Sequence, residues 1–184
     1  MRYITGTMAK LVPLNHPALH AIAEEITQEE IDNGFVTKLI SDMKKVLKTY
    51  NVEGYVAIAI AAPQIGVSKR LFLIEDQSTY RDSLPNLVAI NPKIVKVSKK
   101  THLVEEGCLS IPDSYGTVRR HTHALMRAQD EHGKKYERGA SGLLAQIIQH
   151  EYDHLDGILF TDRAEKVWTK KEIAKKVIRN KEEK

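Results

Sequence analysis

The 184-residue sequence contains one cysteine, Cys108, so no intrachain disulfide can form. A lone cysteine fits a reducing compartment, either as a thiolate ligand or as a small buried apolar group. No apolar run is long enough to span a bilayer as a helix. The first 14 residues carry no continuous apolar segment after their basic residues, and they are not rich in Arg and Ser. The expected compartment is therefore the cytoplasm. Internal repeats are absent, and the only biased tract is the charged C-terminus. The charge excess is small: a net charge of +4 suggests mild attraction to anionic partners and does not name nucleic acid as a substrate. The hydrophobic fraction of 42% and charged fraction of 28% are those of an ordinary globular protein. The length suits one domain with a substantial core.

Within that ordinary background, Gln149 to Gly157 stands out because it holds His150-Glu151-Tyr152-Asp153-His154, an H-E-x-x-H pattern. On a helix, positions four apart lie on one face, so His150 and His154 can point at one metal ion. Glu151 lies beside them, within reach of a proton on bound water. Leu143, Ile147, His150 and His154 follow steps of four, three and four, which predicts one core-facing stripe. Two core histidines with ordinary partners would show the same pattern, so a third ligand decides the matter. A third His six residues after His154 is excluded, because Phe160 stands there. Glu172 and Cys108 are the remaining candidates.

The rest of the chain reads as helix, several strands, a core helix and a terminal helix. Thr27 with Glu30 forms a capping box, and apolar residues from Ile31 to Tyr50 at helical spacing predict one helix over 28–48. Strands are expected over 70–75, 87–97 and 116–129. Asn91-Pro92 marks a bulge, edge or break in the second of these. A turn at 130–133 leads into another strand. Ser141 is placed to cap the histidine helix and Gly157 to end it. Residues 163–184 hold nine Lys or Arg and four Glu, with Val167, Trp168, Ile173, Val177 and Ile178 as a narrow apolar stripe. They read as a basic C-terminal helix, or as a surface for ribosomal RNA. The fold class is α+β, with antiparallel strands around a central helix.

Three segments taken together resemble the peptide deformylase family. Residues 57–64 (AIAIAAPQ), 106–110 (EGCLS) and 150–154 (HEYDH) follow its three motifs in order. Asn91-Pro92, Ile111-Pro112, Val118 with Arg120, and 157–162 extend the likeness over most of residues 17–162. The resemblance implies Cys108, His150 and His154 as ligands of one divalent ion. It favours Fe2+, while the donor set also admits Zn2+, Ni2+ or Co2+. It implies removal of the formyl group from the N-terminal formyl-methionine of new polypeptides. A metal-activated hydroxide would be the nucleophile, and Glu151 the general base and acid. Gln64 and the N–H of Leu109 would hold the oxyanion. Ile58, Ala59, Ile60, Glu106 and Gly107 would line the substrate groove, with a peptide added as a β-strand to the strand of the first motif. Formylated nascent peptides are the implied partners, with no membrane and no sequence-specific nucleic acid.

The match breaks in two places. Ala57 and Ala59 stand where the family pattern has glycines, and Asp113 follows Ile111-Pro112 where glycine is usual. A methyl group at Ala59 is expected to narrow the groove. Two other functions stay open on these grounds. One is a deformylase-like protein that binds nascent chains or the ribosome through its basic tail. The other is a zinc peptidase that uses Glu172 as its third ligand.

Overall fold

The computed structural model describes residues 9–50, 57–75 and 84–172. Among the described residues, two antiparallel sheets and several α-helices follow in α+β order. Helices α1 (Gln28–Asp32) and α2 (Phe35–Thr49) come first. Strands β1 (Ala59–Ala61), β2 (Leu71–Ile74), β3 (Leu87–Val97), β4 (Thr101–Cys108), β5 (Ile111–His121), β6 (His123–Gln129) and β7 (Lys135–Ser141) follow. Helix α3 (Gly142–Leu155) carries the histidines, and α4 (Phe160–Arg163) and β8 (Lys166–Thr169) come last. One sheet has the order β1-β2-β3-β6-β7 and the other β4-β5-β8.

The Thr27 capping box forms: Thr27 Oγ1 accepts from Glu30 N–H at 3.2 Å, and Glu30 Oε2 accepts from Thr27 N–H at 2.8 Å. The helix it starts is short, however, and the single helix expected over 28–48 is two. Gly34 adopts φ +84° between them, a left-handed conformation that glycine takes without a Cβ penalty. Apolar periodicity alone does not register that turn, because it continues through both helices.

Strand β2 shows why a four-residue apolar run suffices here. Leu71 and Leu73 face the core formed with α2, against Leu39, Met43 and Val46. Phe72 and Ile74 face the opposite core, against Ile148 and Leu155 of α3. A strand covered on both faces needs no polar alternation. Helix α3 thus lies against one face of the larger sheet and α2 against the other.

At Asn91-Pro92 the ladder between β3 and β6 shifts register, which is the bulge alternative. Asn91 has φ +48°, and its side-chain amide pairs with both backbone groups of Ile26 at 2.8 Å. The strand expected over 116–129 is instead β5 and β6, separated at Thr122. Ser141 occupies the N-cap of α3, but its hydroxyl makes no capping bond. The other end of α3 is held firmly. Arg70 donates to the carbonyl of Leu155 at 3.2 Å and to Asp156 at 2.7 Å, a cation at a helix C-terminus. Gly157 follows at φ +70°; a Cβ there would sit 2.7 Å from the backbone of His20.

The C-terminal expectation changes most. Val167 and Trp168 lie on β8, paired with Gly116 and Tyr115 of β5, not on a helix. Residues 170–172 are helical, and the remainder of the basic tail lies outside the described residues.

Candidate metal centre

Side chains of helix α3 and strand β4 meet at one cluster. Cys108, at the end of β4, lies 3.2 Å from Nε2 of His154. The ligand atoms of Cys108, His150 and His154 all lie within 4.8 Å of one another, and all three side chains are withdrawn from solvent. The helical repeat sets the two imidazoles edge to face, with centroids 5.0 Å apart. The stripe expected to lead into them is imperfect: Ile147 and His154 are buried, but Leu143 is 53% exposed at the rim of the pocket.

A buried ionic network supports the histidines. Glu106, one residue along β4 from Gly107, accepts from Nδ1 of His150 at 2.9 Å. Arg120 holds the same carboxylate with two bonds of 2.7 and 2.9 Å and reaches Asp153 at 2.6 Å. Arg163 of α4 closes the network on Asp153 at 2.8 Å. Asp153 therefore ties the helix to its neighbours by ion pairs. Sequence reasoning assigned no role to Arg120 or Arg163. For Arg120 a signal exists: it shares the inward face of β5 with Val118, two residues before it.

Charge in the site is tuned by these contacts. Burial opposes ionisation of Cys108, but His154 and the hydrogen bonds from both histidines hold its thiol well below the ordinary value. The thiolate is the form that ligates metal. Burial likewise opposes the charge on His150, yet its bonds to Cys108 and Glu106 raise it well above the usual imidazole value. Glu106 is buried too, and its bonds to His150 and Arg120 bring it down to about 2. Glu151 goes the other way. Burial pushes it up to about 7 against the pull of His150 and His154, with Cys108 and Glu106 adding to the rise. Its Oε2 and the Nδ1 of His154 are buried without a partner among the described residues. A soft thiolate, two imidazoles and an unpaired carboxylate oxygen in one enclosure fit a divalent metal ion with one open position.

Gln64 comes in from the 3-10 turn after β1. Its Oε1 accepts from Ala61 N–H at 2.8 Å, which orients the amide. Its Nε2 then points at Ser110 Oγ, 3.2 Å away, and Cys108 Sγ, 3.4 Å away. Leu109 lies beside them in the turn between β4 and β5, 5% exposed. A pocket of about 220 Å³ opens onto this group, lined among others by Ala57, Ile58, Ala59, Gly107 and Ile147. Ile60 does not belong to it: its side chain is fully buried in the core against α2. Period-two alternation along β1 turns it away from Ala59. Glu106 touches the pocket, but its carboxylate is spent on Arg120 and His150. Glu172 is not part of the cluster; its carboxylate accepts from the N–H and hydroxyl of Thr169 at 2.6 and 2.9 Å.

Comparison with known proteins agrees with this geometry. The family model described as polypeptide deformylase matches residues 8–170. The chain is 38% identical to the peptide deformylase of Fusobacterium nucleatum over 95% of its own length and 93% of that protein. It is 37% identical to the chloroplastic peptide deformylase 1A of Solanum lycopersicum over 85% of its length, spanning 59% of that longer protein. A class I type b peptide deformylase structure from Acinetobacter baumannii superposes with a TM-score of 0.77 at 30% identity, covering 86% of this chain and 99% of that one. The chain belongs to the polypeptide deformylase family.

Proposed function

We propose that this chain hydrolyses the formyl group from the N-terminal formyl-methionine of new polypeptides. The observation that carries the reading is the cluster of Cys108, His150 and His154 at a pocket that Cys108, His150, Glu151 and Gln64 line. A divalent ion on the three ligands would activate water near neutral pH and polarise the formyl carbonyl. Glu151, raised to about 7 by burial, is suited to take a proton near neutrality and to return it to the departing amine. The amide of Gln64, oriented by Ala61, donates toward the place where negative charge develops on the carbonyl oxygen, and the N–H of Leu109 is its partner. Removing one such donor costs about 10²–10³ in kcat in other enzymes. Ferrous iron is the favoured ion, and zinc, nickel or cobalt suit the same donors. The reaction belongs in the cytoplasm, where formylated chains emerge and Cys108 stays reduced.

Formate release from a short formyl-methionyl peptide, with anaerobic Fe(II)-loaded protein, tests the proposal. Turnover that disappears in Glu151→Ala supports it. One bound metal per chain with no turnover overturns it in favour of a binding role at the ribosome, for which the basic tail is the candidate surface. The zinc-peptidase reading makes the opposite metal-binding prediction. Replacing Glu172 would abolish metal binding and replacing Cys108 would spare it, whereas the cluster in hand favours the reverse.

A further inference from the structure

Among the described residues, both strands that flank the pocket are at sheet edges. Strand β1 ends the larger sheet and β4 ends the smaller one. Which backbone groups face the gap follows from their hydrogen bonds. The carbonyl of Ile58 accepts from Glu75 N–H on the β2 side, so Ile58 faces β2 and Ala59 faces the open edge. Ala61 N–H agrees, since it turns away from β2 to Gln64. On β4, the carbonyl of Glu105 is bonded by Nε2 of Gln146 at 2.8 Å, from helix α3. Residue Glu105 therefore faces the open edge, and so does Gly107 two residues on. Ala59 and Gly107 thus present free-edge backbone to the same pocket, the arrangement that accepts an added strand.

Gln146 limits that edge. It is half-buried, lines the pocket and occupies the carbonyl that a longer peptide would use after passing Gly107. Its position on α3 also joins the pocket wall bearing Ile147 to the strand bearing Glu105. A chain whose reacting end lies at Cys108 meets Gly107 first and then finds the next pairing position on β4 taken.

We propose that Gln146 is a positioning residue that ends the peptide-pairing edge of β4 at Gly107. Backbone pairing along β4 is thereby confined to the first two residues of the substrate. The substrate's nature rests on the deformylase reading above; the confinement rests on the edge geometry.

The test is a length series of non-hydrolysable N-acyl-methionyl peptides, one to four residues long, titrated against metal-loaded protein. Wild type is compared with Gln146→Met and Gln146→Glu. Methionine preserves length and helix propensity without a donor, and glutamate places an acceptor against the carbonyl. Within each protein the shortest peptide is the reference. Wild-type affinity rises to the second residue and then stays level. In both variants it rises further, by roughly three- to tenfold over the third and fourth residues, as one more backbone bond forms. Superposable length profiles would overturn the proposal, as would a wild-type profile that still climbs at the fourth residue or no peptide binding at all. Formate release from formyl peptides, measured alongside, decides the deformylase reading separately: wild-type binding that levels off at two residues and rises further in both variants, without turnover, sinks that reading and upholds the role of Gln146.

Discussion

The Glu106 carboxylate lies 2.9 Å from Nδ1 of His150, while Arg120 clamps its two oxygens. An ionised carboxylate only accepts, so in the neutral imidazole the proton sits on Nδ1 and the Nε2 lone pair is left for a metal. Glu106→Gln keeps the shape and loses this control. Metal affinity should fall by about 10- to 100-fold, measured by competition with a chelator. Unaltered affinity would mean that Glu106 serves stability alone.

The same carboxylate predicts a pH dependence. Its folded value is depressed from 4.5 to about 2, so its stabilisation is complete above about 4.5 and fades as pH falls toward 2. The contribution is on the order of 3 kcal/mol at neutral pH. On metal-stripped protein, wild type should melt well above Glu106→Gln at pH 7, and the two should converge in strong acid. A gap that stays constant with pH would rule out this linkage.

Glu151→Gln should leave metal content intact, because the carboxylate is not among the clustered ligands. kcat/KM should drop by about 10²–10⁴. Burial raises this group to about 7, and a nearby cation lowers it again. The wild-type rate should therefore rise with pH through a midpoint below 7, and the variant should lack that limb. A pH profile shared by both proteins would assign the limb to another group.

Ala59 faces the pocket from the open edge of β1. Ala59→Gly should raise kcat/KM on formylated peptides several-fold, through KM, by letting the peptide backbone approach more closely. If the kinetics do not change, the methyl does not narrow the groove.

Asp113 has φ +59°, which gives the usual glycine after Ile111-Pro112 a physical reason. Aspartate tolerates the left-handed region better than β-branched residues do. Asp113→Gly should be neutral or stabilising by up to about 1 kcal/mol, and Asp113→Val should cost about 1–2 kcal/mol. Urea midpoints check both; equal stability of the two variants would refute a backbone origin.

Much of this protein was legible in local pattern. The spacing of His150 and His154 depends only on the helical repeat, and the capping box at Thr27 only on residues three apart. The continuous apolar run of β2 and the interruption at Asn91-Pro92 are similarly short-range, although only the pairing with β6 makes that interruption a bulge. The tertiary structure decided what depends on distant segments meeting. It brought Cys108 to His154 across 46 residues of chain, paired Arg120 with Glu106 and Asp153, and excluded Ile60 from the groove while admitting Gln146. It also turned Val167 and Trp168 into a strand, because the open edge of β5 offers backbone partners that no apolar stripe encodes. Local periodicity reports which face of an element is apolar. Which element it meets, and in what register, is settled only when the sheets and helices pack.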